Sequence, residues 1–505
     1  ILQLMINWKM IYKIMGFLLF IEAGFLSLCI ALSAFYKEPD LPAFIISTLI
    51  TIAVGIPLSY AGKRAERNLS RKDGYVVVTF AWILFSLFGM LPYFISGYIP
   101  NITNAFFETM SGFTTTGASI LDDIEALPHG LLFWRSMTQW IGGMGIVIFT
   151  IAVLPIFGVG GIQLFAAEAT GPKFDKITPR IDVTAKWIWT IYFGLTITET
   201  VLLMAGDMPL FDSMCHAMTT TATGGFSTKT AGLSAFHSVS IEWVTILAMI
   251  LTGFNYTLFM HAWNNKSLRE FKQSLELRVY LGVLVIASVV VVLFILPDYN
   301  GDIALAVRHG VFHVVSIVTT AGFVLCDFNV WAVPAQLTII LLMLCGACAG
   351  SVGGGLKIDR HIILLQKAIQ EIRRFLHPNL VTRLKSSHQL LDDDLVLSVN
   401  MFFYIFIVLT IFGTAVLSFC GIELTAALTA VLSCLSGIGP TVGLGASAVY
   451  YGALPAICKW TLGILMLIGR LEIYAVLVLI HPFHVKMRES ERMFSLETLE
   501  RDGMI

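Results

Sequence analysis

Ten stretches of this chain are each long and apolar enough to cross a lipid bilayer as a helix: 14–35, 43–61, 75–97, 132–157, 183–206, 240–263, 276–296, 334–350, 395–420 and 456–480. About 20 mostly apolar residues are needed, because a helix rises only ~1.5 Å per residue through a hydrocarbon core ~30 Å thick. So many spans leave no room for a separate soluble domain, and the longest linker, 357–394, is too short for a regulatory fold. Charged residues make up 13% of the 505, with a mean hydropathy of +0.82. That is about half the ~25% charge of soluble domains. With a net charge of −1 and no basic arm, nothing points to nucleic acid. The first run is too long for a signal-peptide core and reads as a retained helix.

Lys and Arg placement orients the spans, since cytoplasmic loops carry the excess of these residues. Lys63, Arg64, Arg67, Arg71 and Lys72 share one linker. Later linkers hold Lys173, Lys176 and Arg180, then Lys266, Arg269 and Lys272, then Arg360, Lys367, Arg373, Arg374, Arg383 and Lys385. Lys9 and Lys13 precede the first span, and Lys486 and Arg488 follow the last. Ten spans place all of these on one side, the cytoplasm, which predicts a multi-pass membrane protein with both termini cytoplasmic. The opposite side carries Asp122, Asp123, Glu125, Asp298 and Asp302.

Four shorter stretches, near 101–117, 208–224, 304–322 and 423–439, are too short and too rich in Gly, Ser and Thr to span. Each lies between two spans, on the acidic side, and each is a helix-compatible run that ends in small and hydroxyl residues and then glycine. The predicted fold is therefore all-α: two extra helices, then helix–pore loop–helix four times around a pseudo-fourfold axis. The expected boundaries are 1–73 for the first two helices and their linker, then 74–182, 183–275, 276–394 and 395–505 for the four repeats.

Non-helical backbone at membrane depth is tolerated only where protein buries it or where it lines a water-filled cavity. Four such loops around one axis can aim backbone carbonyls at a common line, and a ring of carbonyls replaces the hydration shell of K⁺. Glycine permits the close approach. The short helices would aim the negative ends of their dipoles at the cation. A single Thr-Thr-Thr-Gly run reads equally well as helix packing by small residues; four in corresponding places read as a pore.

Two features below the loops read as gate elements. Gly346-Ala-Cys-Ala-Gly350-Ser-Val-Gly353-Gly354-Gly355 interrupts the span that begins at 334, since glycine is a poor helix former. Close packing at Gly346 and Gly350 is the simpler alternative, but three consecutive glycines exceed what packing needs, so a flexible loop across the pore is expected. Arg470, with Glu472 near it, lies deep in the last span. A charge there is costly and faces a cavity or a partner. Arg470 is expected to line the pore under the loops and repel cations in the closed state, the alternative being a side chain that snorkels to the surface. Glu22 and Glu199 also lie within spans and read as structural pairs; Glu108 reads as a cap at the start of the first short helix. Cys345-x-x-Cys348 sits in an apolar run without histidine neighbours and reads as packing rather than redox or metal chemistry.

The quoted segments then meet a known family. Ser-Gly-Phe-Thr-Thr-Thr-Gly-Ala (111–118), Gln-Trp-Ile-Gly-Gly-Met-Gly-Ile (139–146), Leu-Pro-Ile-Phe-Gly-Val-Gly-Gly (154–161) and Gly-Gly-Phe-Ser-Thr (224–228) match it. So do Thr-Thr-Ala-Gly-Phe (319–323), Cys-Ala-Gly-Ser-Val-Gly-Gly-Gly-Leu-Lys (348–357) and Gly-Arg-Leu-Glu (469–472). Over nearly its whole length the chain resembles membrane subunits of the Trk/Ktr potassium transporter superfamily, closest to the TrkH/TrkG branch. The resemblance implies K⁺ as the transported ion, no cofactor, and one filter line per repeat. These lines are Thr114, Thr115, Thr116 and Gly117; Thr221, Ala222, Thr223 and Gly224; Thr319, Thr320, Ala321 and Gly322; and Ser436, Gly437, Ile438 and Gly439. The fourth departs from the family's Asn-rich form ending in Gly-Pro-Gly. The resemblance also implies a homodimer and a separate cytoplasmic nucleotide-binding regulatory subunit of the TrkA kind.

No G-x-G-x-x-G and no P-loop occurs, and no catalytic cluster is apparent, so an enzyme is not expected. The expected activity is potassium uptake through a gated, channel-like pore. Symport of K⁺ with H⁺ or Na⁺ is the alternative, because broken helices meeting at the midplane serve that as well.

Overall fold

The computed structural model describes residues 6–63, 65, 70–145, 181–377, 385–386, 389–390, 393–444 and 449–480. Lys173, Lys176, Arg180, Arg383, Lys486, Arg488 and the 154–161 motif lie outside the described residues. Among those described, six helices are long and apolar enough to cross a membrane: Trp8–Tyr36, Leu41–Ala61, Lys72–Ile95, Lys186–Ala205, Leu275–Tyr299 and Asp393–Phe419. Val239–Thr252 and Tyr256–Asn265 form a seventh as a pair bent by 84°. Apart from the two-residue strands Lys385–Ser386 and Gln389–Leu390, the described regular structure is helical.

Besides that bent pair, which is the expected 240–263 span, three more of the expected spans are not single straight helices. The 132–157 span is described as His129–Met144, and 146–157 lie outside the described residues. The 334–350 span stops after ten residues, Val333–Leu342, where the glycine-rich loop takes over. The 456–480 span is Ala456–Arg470, a turn, then Tyr474–Ile480.

Between the spans stand four pore helices: Ile102–Phe113, Leu210–Thr221, Ile303–Val318 and Leu424–Ser436. Their starts follow from local chemistry. The Asn101 side chain accepts from the Asn104 N–H at 3.2 Å, and that of Asp302 from the Leu305 N–H at 3.0 Å. Each satisfies an N–H that the first turn leaves free. Pro209 and Glu423 hold the same position in extended conformation ahead of the other two.

Burial runs opposite to that of a soluble protein. The pore helices form the core, with Phe107, Phe113, Phe312, Val315, Val431 and Leu435 essentially inaccessible. Outward residues such as Phe412 and Phe419 are exposed, Phe419 by 91%, on an apolar helix. An exposed apolar surface of that extent fits lipid as the surrounding solvent.

Candidate functional site

Each pore helix runs directly into a segment of non-helical backbone, and the four segments share one backbone conformation. In each, a residue with positive φ is followed two places later by a positive-φ glycine: Thr115 (54°) and Gly117 (82°), Thr223 (53°) and Gly225 (75°), Thr320 (59°) and Gly322 (75°), Gly437 (68°) and Gly439 (100°). The hydrogen bonds repeat in the same register. Thr116 N–H donates to Ser111 O, Gly224 to Thr219, Ala321 to Ser316 and Ile438 to Ser433, each at 2.9 Å. Three segments lie where the sequence reading puts them. The second is one residue later, at Ala222–Gly225 rather than Thr221–Gly224. Thr221 stands one place before the residue that matches Thr114, Thr319 and Ser436 in the positive-φ register. The double glycine hid this, because either Gly224 or Gly225 completes the pattern in sequence.

The four segments meet edge to edge. A β-carbon added to Gly117 would overlap the carbonyl oxygen of Gly224. The same holds from Gly225 to Ala321, from Gly322 to Ile438 and from Gly439 back to Thr116. The contacts run first to second, second to third, third to fourth and fourth to first, so the ring closes. Only glycine, with no side chain and free access to positive φ, fits all four places. Side-chain hydroxyls at the first ring position come from Thr114, Thr319 and Ser436, with Ala222 in the second segment. Supports stand behind the ring. Gln139 Nε2 donates to Gly224 O at 2.6 Å and its Oε1 accepts from Phe226 N–H at 3.1 Å, while Tyr451 OH donates to Gly439 O at 2.7 Å.

The glycine-rich loop lies against this ring. Gly354 N–H donates to Thr320 Oγ1 at 2.8 Å. A β-carbon at Gly354 would overlap Ser436 O, and one at Gly353 would come within 2.9 Å of Thr319 O. Gly346 and Gly350 stand further along the loop. Gly350 O accepts from the Tyr256 N–H at 3.2 Å, and Cys348 N–H donates to Gly253 O at 3.1 Å, which ties the loop to the bend of the second unit. Gly355 also has a positive φ, 71°. Cys345 and Cys348 are separate thiols on this loop.

Arg470 reaches three carbonyls on two other units. It donates from Nη2 to Gly142 O at 2.6 Å and Gly143 O at 2.9 Å, and from Nη1 to Val352 O of the loop at 2.9 Å. It is a cross-tie rather than a side chain that snorkels away. Glu472 pairs with Arg360, whose guanidinium carbon lies 4.0 Å from the centre of the Phe402 ring. Lys357, buried, donates to Gly353 O within the loop.

Several supporting residues escaped the sequence reading. Glu108 lies mid-helix rather than at a helix start. It is buried, accepts from Arg135 Nε at 2.7 Å and from Ile120 N–H at 2.9 Å, and so is an ion-paired strut rather than a cap. Gln139, His216 and His313 are likewise buried polar residues against the segments. The available signal was a bulky polar side chain among apolar neighbours, such as His313 between Phe312 and Val314, which places a residue inside but does not name its partner.

With this geometry established, known proteins can be compared. A family model described as TrkH, cation transport protein, matches residues 40–495. This chain belongs to the TrkH family. A Trk system potassium uptake protein TrkH from Halomonas elongata is 36% identical over 480 residues, covering 94% of this chain and 98% of that protein. TrkH of Escherichia coli K12 is 34% identical over 482 residues, with 94% and 99% covered, and TrkG of the same strain is 32% identical. The crystal structure of the potassium transporter TrkH from Vibrio parahaemolyticus superposes with a TM-score of 0.85 at 31% identity, covering 95% of this chain and all of that one. The TrkH family is one of transporters, not enzymes, and this member is a multi-pass membrane protein.

Proposed function

We propose that this chain is the ion-conducting membrane subunit of a potassium uptake system. The observation that carries the reading is the closed ring of four glycine-abutting segments, joined to relatives that bear the name potassium uptake protein. Potassium is the transported ion, and it sits within Thr114–Gly117, Ala222–Gly225, Thr319–Gly322 and Ser436–Gly439. Neutral carbonyls and hydroxyls there take the place of its water shell. The C-terminal ends of four pore helices add negative potential at the same point.

The loop Gly346–Gly355 serves as the gate. It lies against the ring at Thr319, Thr320 and Ser436, where an ion leaving the ring would pass. Arg470 holds it closed by fastening Val352 O to the end of the first unit's inner helix. A positive charge at that place also repels cations, as read from the sequence. Opening then requires Arg470 to release carbonyls on two units at once. A nucleotide-binding regulatory subunit of the TrkA kind, docked on the basic side, supplies that trigger, and the membrane subunit works as a homodimer with both termini in the cytoplasm of a cell bounded by this inner membrane.

Symport with H⁺ is the second reading. It draws on Glu199, a buried carboxyl in a spanning helix beside the Thr220 and Thr221 hydroxyls at the end of the second pore helix. A carboxyl so placed could carry a proton past the ring.

The test is growth at limiting K⁺ of a strain without K⁺ uptake, together with K⁺ flux into liposomes holding the purified protein. Wild type restores both and Gly117→Ser restores neither. Equal rescue by the two overturns the filter assignment.

A further inference from the structure

The pore helices carry one buried polar side chain each at a matching height, and each touches the chain just after it leaves the ring. In the first three the spacing is identical: Glu108 ahead of Gly117, His216 ahead of Gly225, His313 ahead of Gly322. Glu108 accepts from Ser119 Oγ at 3.0 Å and from Ile120 N–H at 2.9 Å. His216 Nε2 meets Ser227 Oγ at 2.9 Å. His313 Nε2 accepts from Leu325 N–H at 3.3 Å. In the fourth helix Thr429, one place earlier, accepts from Val442 N–H at 3.2 Å and donates to Val442 O at 2.9 Å. All four side chains are at most 1% exposed.

The chemistry of the two histidines is fixed by their partners. Nδ1 of His313 faces His309 O at 2.8 Å, and Nδ1 of His216 faces Asp212 O at 2.8 Å. A carbonyl can only accept, so each Nδ1 carries the proton and each Nε2 is the acceptor. The ring is therefore held at matching points by one carboxylate, neutralised by Arg135, and by two neutral imidazoles.

We infer that Glu108, His216, His313 and Thr429 are positioning residues that set the spacing of the carbonyl ring and thereby its preference for K⁺ over Na⁺. Each ties the pore helix to the chain that leaves the ring, so the segment between is held at both ends. The inference rests on the filter reading above. A carbonyl ring discriminates ions of unlike size only while its oxygens keep their places, and supporting residues commonly hold such groups to about 0.5 Å. The four clamps are not interchangeable. Ser227 Oγ accepts from Lys229 N–H at 3.0 Å and donates its own proton to His216 Nε2, whereas the donor to His313 Nε2 is the backbone N–H of Leu325.

The full-length chain reconstituted in planar bilayers provides the test, with the reversal potential between K⁺ and Na⁺ solutions as the readout. His313→Phe keeps the ring volume and removes the acceptor. It is expected to raise Na⁺ permeability relative to K⁺ about tenfold, the effect of leaving one buried donor unpaired. His313→Gln places an amide oxygen near the lost Nε2 and is expected to restore the wild-type reversal potential. Ser227→Ala is a small change that gives a second measurement if His313→Phe fails to fold, and it is expected to shift selectivity in the same direction by less. Gly117→Ser separates the two ideas. If it passes K⁺ like wild type, the filter reading itself fails. If it abolishes current while His313→Phe and Ser227→Ala keep wild-type selectivity, the clamp inference alone is overturned. A His313→Gln variant as unselective as His313→Phe likewise overturns it, since packing rather than the acceptor would then be what matters.

Discussion

The ring layer and the layer beneath it are built on opposite principles. In the ring, four segments of different sequence adopt one conformation: Thr-Thr-Thr-Gly, Ala-Thr-Gly-Gly, Thr-Thr-Ala-Gly and Ser-Gly-Ile-Gly share the same positive-φ positions and the same backbone hydrogen bonds. Beneath it, the inner helices of units two to four each depart from a straight helix in a different way. The second bends by 84°, the third ends at Leu342 and gives way to a loop, and the fourth breaks after Arg470, where Glu472 and Ile473 both have positive φ (54° and 59°). A β-branched residue such as Ile473 in that region is strained. On the proposed reading, selection calls for equal oxygens around an axis, which backbone supplies whatever the side chains, and gating calls for parts that move differently, the place proposed for side chains such as Arg470, Arg360 and Lys357.

Four changes would break or sharpen that contrast. The largest effect belongs to the ring. Gly322→Ala puts a β-carbon into Ile438 O, and K⁺ flux into liposomes is expected to fall to the level of empty vesicles. Next is Glu108→Ala, which leaves Arg135 buried and unpaired. Removing one partner of a buried pair costs about 3–5 kcal/mol, read as a lower melting temperature in detergent together with a lower yield of folded protein. Third is Arg470→Ala, which frees three carbonyls on two units. Hydrogen bonds to charged groups are worth about 1.5–3 kcal/mol each, so even one released in full corresponds to about a tenfold rise in resting K⁺ flux, with the K⁺/Na⁺ preference unchanged. A shift in selectivity instead would erase the division between layers. The smallest is Glu472→Gln, which keeps a hydrogen-bond acceptor for Arg360 but removes the charge. The acceptor that remains limits the loss at this largely buried pair, so resting flux should rise only a few-fold.

The sequence showed the scaffold better than the joints. Apolar runs and glycine-ended stretches placed all four pore helices within a few residues, because hydrophobic length and turn chemistry are local properties. The second segment slipped by one residue because Thr221-Ala-Thr-Gly224-Gly225 satisfies the pattern in two registers. Only the neighbouring segments, through Gly225 against Ala321, choose between them. Glu108 looked like a cap because its partner Arg135 lies on another helix, 27 positions away. Arg470 was legible as a costly intramembrane charge, but its three carbonyl partners come from units one and three, and no local pattern foretells them. The straightness of a span was equally hidden: 240–263 reads as a continuous apolar run, and it bends at Gly253–Asn255, where Asn255 caps a new helix and the loop of another unit bonds to Gly253 O and the Tyr256 N–H.

The central claim is that four unequal segments form one K⁺-selective ring. The most direct measurement is the reversal potential of the reconstituted chain under a K⁺ gradient, taken at several pH values for wild type and for Gly322→Ala. The account predicts that the wild-type potential follows the K⁺ Nernst potential at every pH and that the variant carries no K⁺ current. A wild-type potential that moves with pH at fixed K⁺, or a Gly322→Ala variant that conducts like wild type, would contradict it.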